Sequence, residues 1–413
     1  MATDAKRLDL AAQRRRAAEG PALLSFGFRP FFLLGGLSAG LAMLVWLPIF
    51  TGTIETSSAF SPVDWHVHEI MFGYLAAIIT GFLLTAIPNW TGRLPVQGAP
   101  LLALVLAWLA GRFAVFFSAE IGWVAAAFID CAFLLAVSAA AAKEIIAGRN
   151  WRNLMVVIPV TVFFLANVLF HLEAGFEGTS DYARRLAIAA AVILILIIGG
   201  RIIPSFTRNW MVRENPGKLP VPFNGFDKIV LLVSTLALLM WSLAPENWIS
   251  GVLLLAAALL NFIRLGRWAG ERCFGDWLVL ILHIGYLFVP VGLLLAGLGA
   301  FDLADVPAIA ALHAFGIGAI GIMTLAVMTR ATLGHTGRDL KADMATQAIY
   351  LAIILSAVTR IMAAFIPENI HFLHLSAGFW CLAFFGFCLR YGPMLLRPKL
   401  RAKAVSQPQG KPA

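Results

Sequence analysis

Twelve long apolar runs, each about 18 or more residues with few charges, govern what this chain can become. They lie near 31–50, 67–88, 100–117, 121–142, 153–173, 183–203, 226–243, 248–265, 275–297, 306–328, 344–364 and 371–390. A helix rises 1.5 Å per residue, so about 20 apolar residues cross the hydrocarbon layer of a bilayer once. Hydrophobic residues make up 60% of the 413, charged residues 13%, and the mean hydropathy is +0.85. That balance lies outside the range of soluble domains. The expected fold class is all-α: a polytopic membrane protein of about twelve transmembrane helices.

The net charge of +9 would suggest a nucleic-acid partner on a soluble chain. Here its distribution is topological. With the N-terminus inside, the short cytoplasmic segments collect Arg93, Lys143, Arg149, Arg152, the stretch from Arg201 to Lys228, Arg264, Arg267, Arg272, Arg330, Arg338, Lys341 and the basic tail, and the opposite loops hold Arg184 and Arg185. Both termini are thus expected in the cytoplasm, with the bilayer as partner and no nucleic acid. Residues 1–25, with Arg14-Arg15-Arg16, read as a basic leader without a signal-peptide core, 26–393 as the membrane domain and 394–413 as a tail. Cys131, Cys273, Cys381 and Cys388 have no CxxC spacing, and three of them fall in apolar segments, so a disulfide scaffold is not expected.

Three helix ends resemble one another. Thr85-Ala86-Ile87-Pro88-Asn89-Trp90-Thr91-Gly92-Arg93, Arg201-Ile202-Ile203-Pro204-Ser205-Phe206-Thr207-Arg208-Asn209-Trp210 and Met328-Thr329-Arg330-Ala331-Thr332 close the second, sixth and tenth runs. Their recurrence every four helices suggests a threefold four-helix repeat.

Trp65-His66-Val67-His68-Glu69 stands where the second run begins, in a chain with eight histidines. Ionisable groups in or beside a bilayer are costly, and their presence is a functional hypothesis by default. The topology places His66, His68, His171, His313, His371 and His374 in the outer half of the membrane. His313 lies ~10 Å below its helix start, and His283 ~12 Å from the inner start of the ninth helix, close to the midplane. His335 falls in a cytoplasmic loop. His371 and His374, spaced i, i+3, share a helix face, whereas His66 and His68 point different ways on a regular helix.

Imidazole suits iron and copper, and zinc would more often bring cysteine or carboxylate ligands, of which this cluster offers Glu69 alone. Haem would need an axial histidine and aromatic walls, for which Phe72, Trp65, Phe372 and Phe379 are candidates. Arg112 and Arg360 could pair with haem propionates or snorkel to the outer interface.

These residues also carry a resemblance. The run Trp65 to Gly73, the stretch Gly81-Phe82-Leu83-Leu84-Thr85-Ala86-Ile87-Pro88-Asn89-Trp90-Thr91-Gly92, and the tenth run from His313-Ala314-Phe315 to Gly334-His335-Thr336-Gly337-Arg338 resemble the NnrS family. So do Gly27-Phe28-Arg29-Pro30-Phe31-Phe32 and Leu282-His283-Ile284-Gly285-Tyr286. The likeness covers nearly the whole chain in order. It implies a twelve-helix protein of the bacterial inner membrane containing haem and copper, associated with nitric oxide metabolism, denitrification and resistance to nitrosative stress. By motif, His66, His68, His171, His283, His313 and His374 are the implied cofactor-binding histidines, and His335 also matches a family position. His371 joins the candidate metal ligands through its spacing alone, and the tail after Arg397 departs from the family pattern.

The resulting expectation is a bundle holding haem and copper that binds or processes nitric oxide or a nitrosyl species, with an electron donor required for any redox turnover. Haem-copper respiratory enzymes also arrange about twelve helices threefold, but this chain lacks the ligand spacing of their binuclear centre. Two rivals stand beside it. One is a transporter of a metal, a metal–nitrosyl complex or a small anion, with His283, Arg112 and Arg360 along its route. The other is a haem-based sensor or assembly partner without turnover. The orientation has its own test: a periplasmic reporter fused after Gly52 should be active and one after Lys218 silent. The reverse pattern would invert the histidine layer.

Overall fold

The computed structural model describes residues 20–301 and 305–400. The basic leader through residue 19 and the end of the tail lie outside them. Among the described residues there are twelve helices long and apolar enough to cross a membrane, and no strand. They are α1 (Phe28–Phe50), α2 (Pro62–Thr91), α3 (Ala99–Phe116), α4 (Trp123–Ala147), α5 (Leu154–Phe176) and α6 (Asp181–Glu214). The second half comprises α7 (Gly225–Leu243), α8 (Trp248–Gly266), α9 (Trp277–Gly299), α10 (Ala308–His335), α11 (Met344–Phe365) and α12 (Ile370–Leu396). The chain is a multi-pass, all-α membrane protein.

Helix starts follow local chemistry. The Ser61 hydroxyl accepts from Asp64 N (3.1 Å) ahead of Pro62 in the first turn of α2, and Asn224 with Asp227 forms a reciprocal cap on α7. Asp276 and Asp343 cap α9 and α11 in the same way. Helix ends run further than the apolar runs do. α6 continues to Glu214 through Pro204, and α10 continues to His335, which is therefore the last residue of a helix rather than part of a loop. Loss of hydrophobicity marks where a helix leaves the bilayer, not where its hydrogen bonding stops. Thr329, Thr332 and Thr336 return their hydroxyls to carbonyls one turn back, so these polar residues are accommodated without breaking the helix.

Consecutive helices pack against one another and α12 packs on α1, closing a ring. The closure is specific. Arg29, buried at the start of α1, donates from Nη1 to the carbonyls of Leu395 and Arg397, both at 2.7 Å, and so caps the negative end of α12. Trp380 Nε1 donates to Ala39 O (2.9 Å), and Gly40 faces the Phe385 ring, which a Cβ would approach to 2.6 Å. The start of the first spanning helix and the end of the last thus share one face of the bundle, called here the terminal face. Together with α9, helices α2, α6 and α10 are the most enclosed, so every fourth helix lies inside, at the spacing of the repeated helix ends.

Arg264, which its place near a helix end assigns to the cytoplasmic charge, is instead buried between α6, α7, α8 and α9. Its Nε donates to Asp227 Oδ1 (2.9 Å), and its Nη1 to Leu196 O (3.1 Å) and Tyr286 Oη (3.0 Å). Tyr286 then donates to Asn261 Oδ1 (2.7 Å), and Asn261 Nδ2 to Ser234 Oγ (2.8 Å). Gly200 leaves the space, since a Cβ there would collide with the guanidinium. Removing one member of such a pair strands a buried charge at a cost of about 3–5 kcal/mol, whereas apolar replacement of both is often neutral. Asp227→Ala should therefore lower the thermal midpoint of the purified protein sharply, and Asp227→Leu with Arg264→Met should restore most of it. An unchanged midpoint in Asp227→Ala would mean that the network does not hold these four helices together.

Candidate metal centre

The face opposite the terminal one brings together most of the buried ionisable groups of α2 to α5. His68 lies six residues into α2, a depth of ~9 Å, and His171 near the end of α5 reaches the same level. Between them α4 brings Asp130, which the sequence reading overlooked. His68, Asp130 and His171 are all buried, and each offers a ligand atom within 4.8 Å of the other two. His68 Nε2 and His171 Nε2 both lie 3.2 Å from Asp130 Oδ2.

The charges around this group do not cancel. Arg112 of α3 donates to Glu69 Oε1 (2.7 Å) and to Asp130 Oδ1, so one guanidinium serves two carboxylates. With neutral imidazoles the buried cluster retains one negative charge. Uncompensated charge inside a membrane protein is expensive, and a proton or a metal cation would neutralise it. The hydrogen bonding of the two imidazoles is incomplete. His68 Nδ1 meets Glu69 Oε1 at 3.4 Å, while its Nε2, close as it is to Asp130, has no hydrogen-bond alignment. His171 pairs through Nε2 and leaves Nδ1 buried without a partner. Asn167 Nδ2 donates to Asp130 Oδ2 (2.7 Å) and fixes the carboxylate. Two imidazoles and one carboxylate form a donor set that copper accepts, and so do zinc and iron.

Aromatic rings close the site. Phe60, Phe72 and Phe170 lie 5.3–5.4 Å from the His68 ring, and Phe60 lies 5.3 Å from that of His171. Phe72, expected as a haem wall, belongs to this cage, and Trp65 packs on Phe116. Arg112 neither snorkels nor waits for a propionate, because its two carboxylates hold it inside.

His66 faces elsewhere. Two residues turn a helix by roughly 200°, so His66 and His68 open onto different chambers. His66 and His313 line a cleft with a cavity volume of about 180 Å³, with Trp46, Arg184, Arg360 and Trp380 among its walls. The His66 ring stacks on Trp46 at 4.3 Å, and its Nδ1 has no partner. His313 Nδ1 lies 2.9 Å from Ile309 O, and donation there leaves Nε2 free as a ligand nitrogen. The aromatic walls of the cleft are Trp46, Phe50 and Trp380 rather than Phe372 and Phe379.

A structural feature without a periodic signature accompanies both chambers. Directly after His68 the helix widens to π form over Glu69–Leu75, and directly after His313 over Ala314–Gly321. Such segments concentrate at functional sites because they rotate one part of a helix against the next. Gly73 sits within the first, where a Cβ would meet Arg112 Nη1 at 2.6 Å. Tyr74 and Thr324, near the ends of the two segments, hydrogen-bond to each other.

The remaining histidines are not brought into either chamber. His371 and His374 are exposed at the start of α12, while Leu373, Ser376 and Ala377 of the same helix face the cleft. His283 lies six residues into α9, beneath the loop at the terminal face. There its Nε2 meets Thr207 Oγ1 at 2.8 Å and Gly270 packs against its ring. His335 packs on Phe28, ring centres 5.4 Å apart, also at the terminal face. Asp130 could have been found: it is an acid inside a long apolar run, a signal as strong as the histidines gave.

A search among curated proteins finds no match. A family model described as NnrS protein matches residues 22–399, which takes in every spanning helix and both histidine chambers. The chain belongs to the NnrS protein family.

Proposed function

We propose that this protein holds copper and haem in the bacterial inner membrane and binds or processes nitric oxide or a related species, protecting against nitrosative stress or serving denitrification. The observation that carries the proposal is the convergence of His68, Asp130 and His171 from three helices, beside one guanidinium that serves two carboxylates. These three residues would hold copper. His66 and His313 would hold the haem iron, with Arg360 as the cation available to its propionates and Arg184 nearby in its pair with Asp181. When bound, the two groups supply redox-active metal ions, one of them an iron that takes nitric oxide as a ligand. Arg112 and Asn167 hold the Asp130 carboxylate in place, Trp46 fixes the His66 ring, and Phe60, Phe72 and Phe170 exclude water from the metal site. The charge asymmetry of the sequence supports a cytoplasmic position for the terminal face, which is rich in Lys and Arg.

The interior also weighs against ion transport. Between α2, α6 and α10 lies a middle cavity lined by Leu75, Ile79, Leu194, Ile198, Ile320, Met323 and other apolar side chains, with Thr324 the polar exception. A charged species crossing there would be desolvated at great cost, whereas a small neutral gas would not.

Substituting His68 or His171 by Ala should lower copper content at least about tenfold, as loss of metal-site residues commonly does, and leave haem absorbance in place. Substituting His66 or His313 by Ala should remove the haem spectrum and leave copper. Wild-type metal and haem content in all four variants would unseat both assignments. A colourless wild-type protein free of copper, from haem-replete cells, would return the transporter to the front.

A further inference from the structure

The repeated helix ends, which the metal chemistry does not use, meet at the terminal face around a third cavity. It has a cavity volume of about 560 Å³ between the ends of α2, α6 and α10. Its polar lining includes Arg201, Arg330, His335, Asn89 and Thr85, and its walls include Phe28, Phe32, Phe82 and Phe206, with no carboxylate among the lining residues. Arg201 is held by a neutral partner, with Nη1 donating to Asn153 Oδ1 at 3.0 Å. The Arg330 guanidinium lies over the Phe206 ring, 4.1 Å from its centre, and its Nη1 is buried with no hydrogen-bond partner. Among the described residues neither arginine forms an ion pair. Asp276, at the start of α9, is the acid that acts on Arg330 through space, and it does not line the cavity.

Two guanidiniums facing a partly apolar chamber without an acid constitute a receptor for negative charge. A guanidinium recognises a carboxylate or oxyanion by paired hydrogen bonds, and an unused buried donor is satisfied when one arrives. We propose that this chamber is an anion-binding vestibule taking an oxyanion head, either a carboxylate on a small organic molecule or a free inorganic oxyanion, from the terminal face. Arg201 and Arg330 clasp the head, and the phenylalanine walls receive any apolar remainder. The vestibule is blind toward the membrane, because beyond Phe82, Ile198, Ile202 and Val327 the apolar middle cavity begins. It is therefore a binding site rather than one end of an ion route. The inference stands on residues remote from both histidine chambers and does not depend on what those chambers hold.

The test is calorimetric titration of the purified protein in detergent at constant ionic strength, with sodium benzoate, sodium nitrate and sodium phosphate in separate arms, and with the thermal midpoint followed in parallel. Saturable binding with a raised midpoint is expected in at least one arm. Tighter binding of benzoate would identify an organic carboxylate, and tighter binding of nitrate or phosphate a free oxyanion. Arg201→Gln and Arg330→Gln should each weaken binding about tenfold, and Arg330→Lys less, because a charge remains. Wild-type elution from a sizing column and an unchanged ligand-free midpoint would establish that the variants are folded, and whichever glutamine variant passes decides the matter. Absence of saturable binding by the wild type in every arm, or equal binding by a folded glutamine variant, would overturn the proposal.

Discussion

Arg112 lies between Glu69 and Asp130, and the arrangement of the histidine face follows from that contact. A guanidinium and two carboxylates away from water are each expensive, and they persist together only because each supplies the others' hydrogen bonds. The triad fastens α2, α3 and α4 at one level, fixes one oxygen of Asp130 and leaves the other for His68 and His171. Close packing is required on every side. Gly73 admits the guanidinium from one direction, and a Cβ at Gly111 would strike Asp130 Oδ1 at 2.7 Å. Polarity this dense is tolerable inside a membrane bundle only where its hydrogen bonding is nearly complete.

The inner helices extend that logic along the molecule. α2, α6 and α10 run through the middle of the ring and line three successive cavities: the His66–His313 cleft, the apolar middle and the arginine vestibule. The polar chambers lie toward the two faces, and the middle is lined almost wholly by apolar side chains. The π segments of α2 and α10 begin one residue after His68 and His313, and they turn the remainder of each helix so that its apolar side chains face the seam. Local backbone geometry thus separates chemistry at one face from hydrocarbon packing a few residues later.

Much of this was legible in the sequence, for physical reasons that also explain what was not. Twelve crossings follow from the lengths of the apolar runs, and the shared face of the chain ends from their even number. The inner position of every fourth helix was foreshadowed by the recurring Thr, Arg and Trp helix ends. That His66 and His68 diverge follows from helical rotation alone. The partners of His68 were harder to read, because Asp130 and His171 come from helices whose packing no periodicity reveals. Arg112 looked like an interfacial snorkel since its partners are 43 and 18 residues away in the chain. His371 and His374 share the level of the other histidines but not their direction, and depth alone could not separate them. The π segments leave no pattern, since a widened turn disturbs the period that would announce it.

The central claim is that His68, His171 and Asp130 form a metal site of two imidazoles and one carboxylate. X-ray absorption at the copper edge of the purified protein tests it most directly, since it reads the ligand atoms and not only the metal content. The predicted spectrum has a nitrogen and oxygen first shell with the outer-shell scattering of about two imidazoles and no sulfur, and it loses one imidazole in a His171→Ala variant reloaded with excess copper. A sulfur shell, or an imidazole count unchanged by His171→Ala, would place the copper elsewhere and contradict the account.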